Sequence, residues 1–205
     1  MSEDTPSSPS RTADGLADVL LGFVRCLGAE DGNVIYVSAP ITTGRDFAAW
    51  YPEQTDQGTP AYWARLRAEI ITPNIERARP LVRECRTRWA GRPVIDPTML
   101  EDVAGWAQPD YHRFWTRMVE QHAGTVVFSE GWQFSTGCAL EFAAAHTAGA
   151  ELLDHAFAPL PTAEGRRLLA EAAQTLDAIG CDSSALRAAV ATLPAEAPLT
   201  AGAVR

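Results

Sequence analysis

Thr125-Val-Val-Phe128 followed by Glu130-Gly-Trp-Gln-Phe-Ser-Thr-Gly-Cys-Ala-Leu-Glu141 decides the fold of this chain. A short apolar run, a polar glycine-containing loop and an alanine-rich run from Phe142 to Ala148 read as strand, loop and helix. In an open α/β sheet that junction is where ligands bind. Ser135 can cap the helix, and Gly137 lets a ligand approach the unpaired N–H groups of its first turn. Glu141 then falls within two turns of the helix start, where the positive end of the helix dipole favours an ionised carboxylate. A charged carboxylate in a polar cleft is a candidate nucleophile.

Outward from this junction the pattern repeats. Asn33 to Ser38 is a β-branched run that predicts a buried strand, and Ala39-Pro-Ile-Thr-Thr-Gly-Arg45 a turn behind it. Pro93-Val-Ile-Asp-Pro97 predicts a second short strand, and Glu151 to Asp154 a fourth. Helical periodicity covers Leu16 to Leu27, Tyr62 to Trp89 with breaks at Pro73 and Pro80, Tyr111 to His122, Thr162 to Ile179 and Ser183 to Leu193. Alternating strands and helices imply a parallel sheet covered on both faces, an α/β flavodoxin-like three-layer sandwich with N- and C-terminal helical extensions. Residues 1–14 read as a disordered tail, 15–160 as the α/β domain and 161–205 as a helical extension with a loose end. Right-handed crossovers bring the ends of the strands to one edge, so the candidate site is Ser38 to Arg45, Asp96-Pro97 and Gly131 to Glu141.

Composition bounds the function. The 205 residues carry a net charge of −9, which argues against a nucleic-acid backbone or an anionic membrane as partner. No apolar stretch reaches the roughly 18 residues of a membrane span, and the polar N-terminus has no signal-peptide core. Cytoplasmic localisation is therefore the default expectation. Cys26, Cys85, Cys138 and Cys181 have no paired spacing, so neither a disulfide framework nor a zinc site is expected. His112 and His122 show no carboxylate pattern, and no metal or cofactor is expected.

Three segments in order, Tyr36-Val-Ser-Ala-Pro-Ile-Thr-Thr-Gly44, Val94-Ile-Asp-Pro97 and Gly131-Trp132 with Ser135-x-Gly137-x-x-x-Glu141, resemble the nucleoside 2-deoxyribosyltransferase superfamily over roughly residues 33–154. The resemblance implies a domain that breaks or exchanges N-glycosidic bonds of nucleosides or nucleotides. It implies Glu141 as the group that attacks the anomeric carbon, with Tyr36 hydrogen-bonded to that carboxylate or to the sugar. It further implies Ser135 and Gly137 at a 5′-phosphate, Ile41, Thr43 and Gly44 lining the sugar or base pocket, and a homo-oligomer whose neighbouring subunit completes the pocket. The family's acidic residue before the third strand falls here near Thr116, where there is no acid. Asp96 is the nearest replacement by topology, beside its ordinary turn role. The first turn has Thr42 where nucleotide-hydrolysing relatives carry arginine, and Arg45 is the next cation. Trp132 is read either as a stacking surface for a base or sugar or as a shield for the loop. Residues 46–60, with three aromatics, read as a lid or dimer contact. The alternative function is a non-catalytic nucleotide or nucleotide-sugar binder on the same fold. A carrier of flavin mononucleotide fits less well, because the first strand lacks the expected Ser/Thr-rich loop.

Overall fold

The computed structural model describes residues 11–26, 28–100 and 103–194. Four parallel strands, β1 (Val34–Ser38), β2 (Val94–Ile95), β3 (Ala123–Phe128) and β4 (Glu151–Leu153), form one sheet in the order β2-β1-β3-β4. All five residues of β1 are buried, as a central strand of a doubly covered sheet requires. Side-chain alternation splits β1 between two cores. Ile35 and Val37 pack with Val82 and Cys85 of α4 (Thr72–Arg88) on one face. Tyr36 packs with Phe114 and Met118 of α5 (Gln108–His122) and with Ala139 and Phe142 of α6 (Thr136–Ala148) on the other. The result is the expected α/β three-layer sandwich of flavodoxin-like strand order.

α1 spans Arg11–Cys26, so the helix starts earlier than Leu16 and the tail expected over 1–14 is shortened; residues 1–10 lie outside the described residues. The end expected to be loose, from 195 onward, also lies outside them. Residues 46–60 do not form an open lid. Helix α2 (Arg45–Trp50), a single 3-10 turn and helix α3 (Pro60–Leu66) fold them onto their own aromatic side chains. Phe47 meets Tyr51 at 5.3 Å between ring centroids, Trp50 meets Tyr62 at 5.4 Å, and Trp50 Nε1 donates to Glu69 at 2.6 Å. From α3 the backbone stays helical through a π turn at Arg67–Ile71 into α4. Pro73 has no N–H to give, and the wider turn preceding it accommodates its ring without breaking the helix.

The last two helices, α7 (Thr162–Ala178) and α8 (Ser184–Thr192), are integral to the fold. Leu169, Ala172, Leu176, Leu186 and Ala189 join the same core as Phe142 of α6. Gly165 makes that docking possible. A β-carbon there would stand 2.0 Å from Phe142 Cζ, far inside contact distance. Gly165→Ala is expected to destabilise the protein by about 1–3 kcal/mol through overpacking, read as a lowered denaturation midpoint. An unchanged midpoint would show that α7 does not bear on Phe142 in solution.

Candidate active site

The ends of β1, β2 and β3 lie at one edge of the sheet, and the order reverses between β1 and β3, the switch point where an open α/β sheet leaves a crevice. A cleft of about 140 Å³ opens there. Ala39, Ile41 and Thr42 enter it from the turn after β1, Pro97 from the turn after β2, and Ser135, Gly137, Cys138 and Glu141 from the start of α6. Thus each of the three expected segments contributes. The fourth wall was not foreseen. Gln108, Tyr111, His112 and Trp115 of α5 face the same space, spaced as one side of a helix.

Glu141 forms the floor. It is 7 % exposed, and its two oxygens are held separately: Tyr36 donates its hydroxyl to Oε1 at 2.7 Å, and Ser38 donates to Oε2 at 2.6 Å. Tyr36 and Ser38 are two residues apart on β1, so the pleat points both hydroxyls to the α6 face. Ser38 was not singled out from sequence, although its spacing from Tyr36 carried that signal. Burial raises the Glu141 pKa above 4.5, while the bonds from Ser38 and Tyr36 pull it back. The net direction is upward, because desolvation outweighs the two hydrogen bonds. Tyr36 is fully buried, and burial with the adjacent Glu141 keeps its hydroxyl protonated as a donor.

The cap of α6 forms as expected, with Ser135 accepting from the Cys138 backbone N–H at 3.5 Å. Cys138 is buried and its thiol is pushed up to about 12, chiefly by desolvation, so it packs rather than reacts.

Other expected positions are displaced. Trp132 is a core residue: it is 4 % exposed, stacks on Phe142 at 4.8 Å and touches Phe128 at 4.7 Å. The aromatic side chains that do face the cleft are Tyr111 and Trp115. Asp96 is committed to its turn, accepting from the Thr98 N–H at 3.0 Å and the Thr98 hydroxyl at 2.6 Å, and it borders an apolar groove with Met99 rather than the cleft. Arg45 is over half exposed, pairs with Glu130 at 3.2 Å and lines a separate depression with Asp46, Asn74 and Arg77. Thr43 and Gly44 shape the turn without lining the cleft. Asn74 donates to Ile41 O and Thr43 O at 3.0 Å each, and Gly44, at φ 122°, has no room for a β-carbon beside Pro40.

A buried carboxylate whose pKa is raised on folding opposes folding once it ionises. The stabilising offset exists below the unfolded-state pKa and disappears as pH rises through the raised folded value. Glu141→Gln removes that titration, and both hydroxyls can rotate to serve an amide. The variant is expected to melt higher than the wild type at pH 7.5, with the gain shrinking as pH falls toward 4.5. A variant that melts lower at pH 7.5 would show that Glu141 carries no desolvation strain.

Comparison of the chain with protein-family models, with curated proteins and with solved structures finds no match, so the reading of the site rests on its own chemistry.

Proposed function

We propose that the chain cleaves or exchanges the N-glycosidic bond of a nucleoside or nucleoside 5′-monophosphate, with Glu141 as nucleophile. The observation that carries this reading is a buried carboxylate at the floor of an open cleft, with one hydroxyl fixed on each oxygen. Breaking the C1′–N bond gives an oxocarbenium-like transition state, which is positively charged. A carboxylate held in low dielectric stabilises that charge strongly and can collapse onto C1′ as a glycosyl ester. Attack by water or a second base on C1′ then releases Glu141.

The remaining wall residues fit the parts of such a substrate. Pro97, Leu100 and Trp115 offer an apolar face to a base. Ser135 and the first-turn N–H groups of α6 suit the 5′ end of the sugar, with or without phosphate. The superfamily resemblance adds a neighbouring subunit that closes the open side of the cleft. It brings in no metal or cofactor.

Incubation with nucleosides, their 5′-monophosphates and oxidised nicotinamide adenine dinucleotide, followed by chromatography of free base, tests the reading. Release is expected in the wild type and absent in Glu141→Gln. No release from any compound, with nucleotide-induced thermal stabilisation preserved in Glu141→Gln, leaves a binding protein instead.

Tyr36→Phe and Ser38→Ala each remove a hydrogen bond to a charged group, worth about 1.5–3 kcal/mol, so kcat/KM should fall roughly 10- to 100-fold. Both bonds lower the Glu141 pKa, so their loss lets burial raise it further. The acid limb of the kcat/KM profile should therefore move to higher pH in each variant. A limb that stays in place would separate these hydroxyls from Glu141 ionisation.

A further inference from the structure

Glycosidic cleavage at Glu141 leaves one requirement unmet, a proton for the departing base. The expected acid is not in the cleft. Asp96 is bound into its own turn, and Thr116 gives its hydroxyl to the backbone carbonyl of His112. Asp110, at the start of α5, is taken up by the Ala107 N–H at 2.7 Å and by Arg113, and it does not line the cleft.

His112 does line it. Its ring lies over the first turn of α6: a β-carbon at Gly137 would be 3.9 Å from both Nε2 and Cδ2. Gly137 and Glu141 are four residues apart on α6 and therefore share a face, about 5–6 Å from one another. His112, Gly137 and Glu141 all line the one cleft. Gln108, one turn earlier on α5, has its side-chain nitrogen 3.1 Å from Nε2. Its amide can donate to the neutral ring or, turned over, accept from the protonated one, so a single side chain serves both states.

Resting on the Glu141 reading, we propose that His112 is the catalytic acid–base of this cleft. In the first step the C1′–N bond breaks, its electron pair goes to the base, and protonated His112 gives that nitrogen its proton while a Glu141 oxygen bonds C1′. In the second step the C1′–ester bond breaks and its electrons return to Glu141 as a water oxygen bonds C1′ and neutral His112 takes the proton that water gives up. The cycle restores both side chains and consumes one water. Desolvation lowers the His112 pKa below 6.5, which makes its protonated form a stronger acid toward the base.

His112→Gln and His112→Asn keep a polar side chain but cannot shuttle a proton. The test compares base release from ordinary nucleosides with release from 7-methylguanosine, nicotinamide riboside and their 5′-phosphates, whose bases depart neutral without a proton. With circular dichroism unchanged, His112→Gln should lose about 10²–10⁴-fold on ordinary nucleosides and under tenfold in the first turnover of the quaternised ones. With the quaternised substrates the variant should also accumulate a glycosyl adduct, visible by intact mass and mapping to Glu141, because the second step lacks its base. Equal losses on both substrate classes, or a loss under tenfold on ordinary nucleosides, would overturn the role of His112 and leave Glu141 standing. Absence of release by the wild type from every compound would overturn both.

Discussion

Two hydroxyl-to-carboxylate bonds, Tyr36 to Glu141 and Ser38 to Glu141, join the central strand to the helix that follows the third strand. Everything in the cleft is placed by that junction. β1 is buried throughout and paired on both sides, with β2 and with β3, so its side chains have no freedom to drift. α6 packs on α5 on one side and receives α7 and α8 on its outer side, which fixes the depth of Glu141. A charge buried at this depth is costly unless its lone pairs are satisfied, and the two hydroxyls satisfy one on each oxygen. A carboxylate retained in such a place is the kind of local conflict with folding that marks functional sites.

The second constraint is topological. With the order β2-β1-β3-β4, the crossover after β1 leads to one face of the sheet and the crossover after β3 to the other, so the loops part above the boundary between the two strands. The cleft follows from that parting rather than from any one motif. The parting also explains why Arg45 does not line the cleft. The chain leaving the first turn runs toward α2 and α4, and Arg45 ends beside Asp46, Asn74 and Arg77.

What could be read from the amino-acid order divides along the same physical lines. Each strand was legible as a short apolar run, and Ser135, Gly137 and Glu141 were legible because cap, close approach and carboxylate sit on one contiguous stretch. The α5 wall was harder to read. Gln108, His112 and Trp115 carry no motif, and only the recurrence of a helical face places them together. Which face meets the cleft is settled by tertiary packing. Trp132 shows the same limit from the other side: a loop tryptophan beside a site can point outward to ligand or inward to core. Phe128 and Phe142 draw it inward. The segment 46–60 reads as a loop because its helices are one turn or little more in length. Interlocked aromatic rings rather than helix propensity hold them.

Desolvation acts on Glu141 and His112 in opposite directions, raising the first and lowering the second. Both shifts favour the neutral form, so the cleft disfavours an isolated charge on either group. In the proposed reaction, a transition state with positive charge on the sugar changes that balance. An ionised Glu141 then faces a cation at short range, and beside a buried carboxylate that attraction is screened less than in bulk water. The hydroxyls of Tyr36 and Ser38 already point at the carboxylate, so little reorganisation is needed when the charge develops. The same burial that disfavours Glu141 as an isolated charge would therefore make it a better partner for a positive charge on the sugar in the proposed reaction.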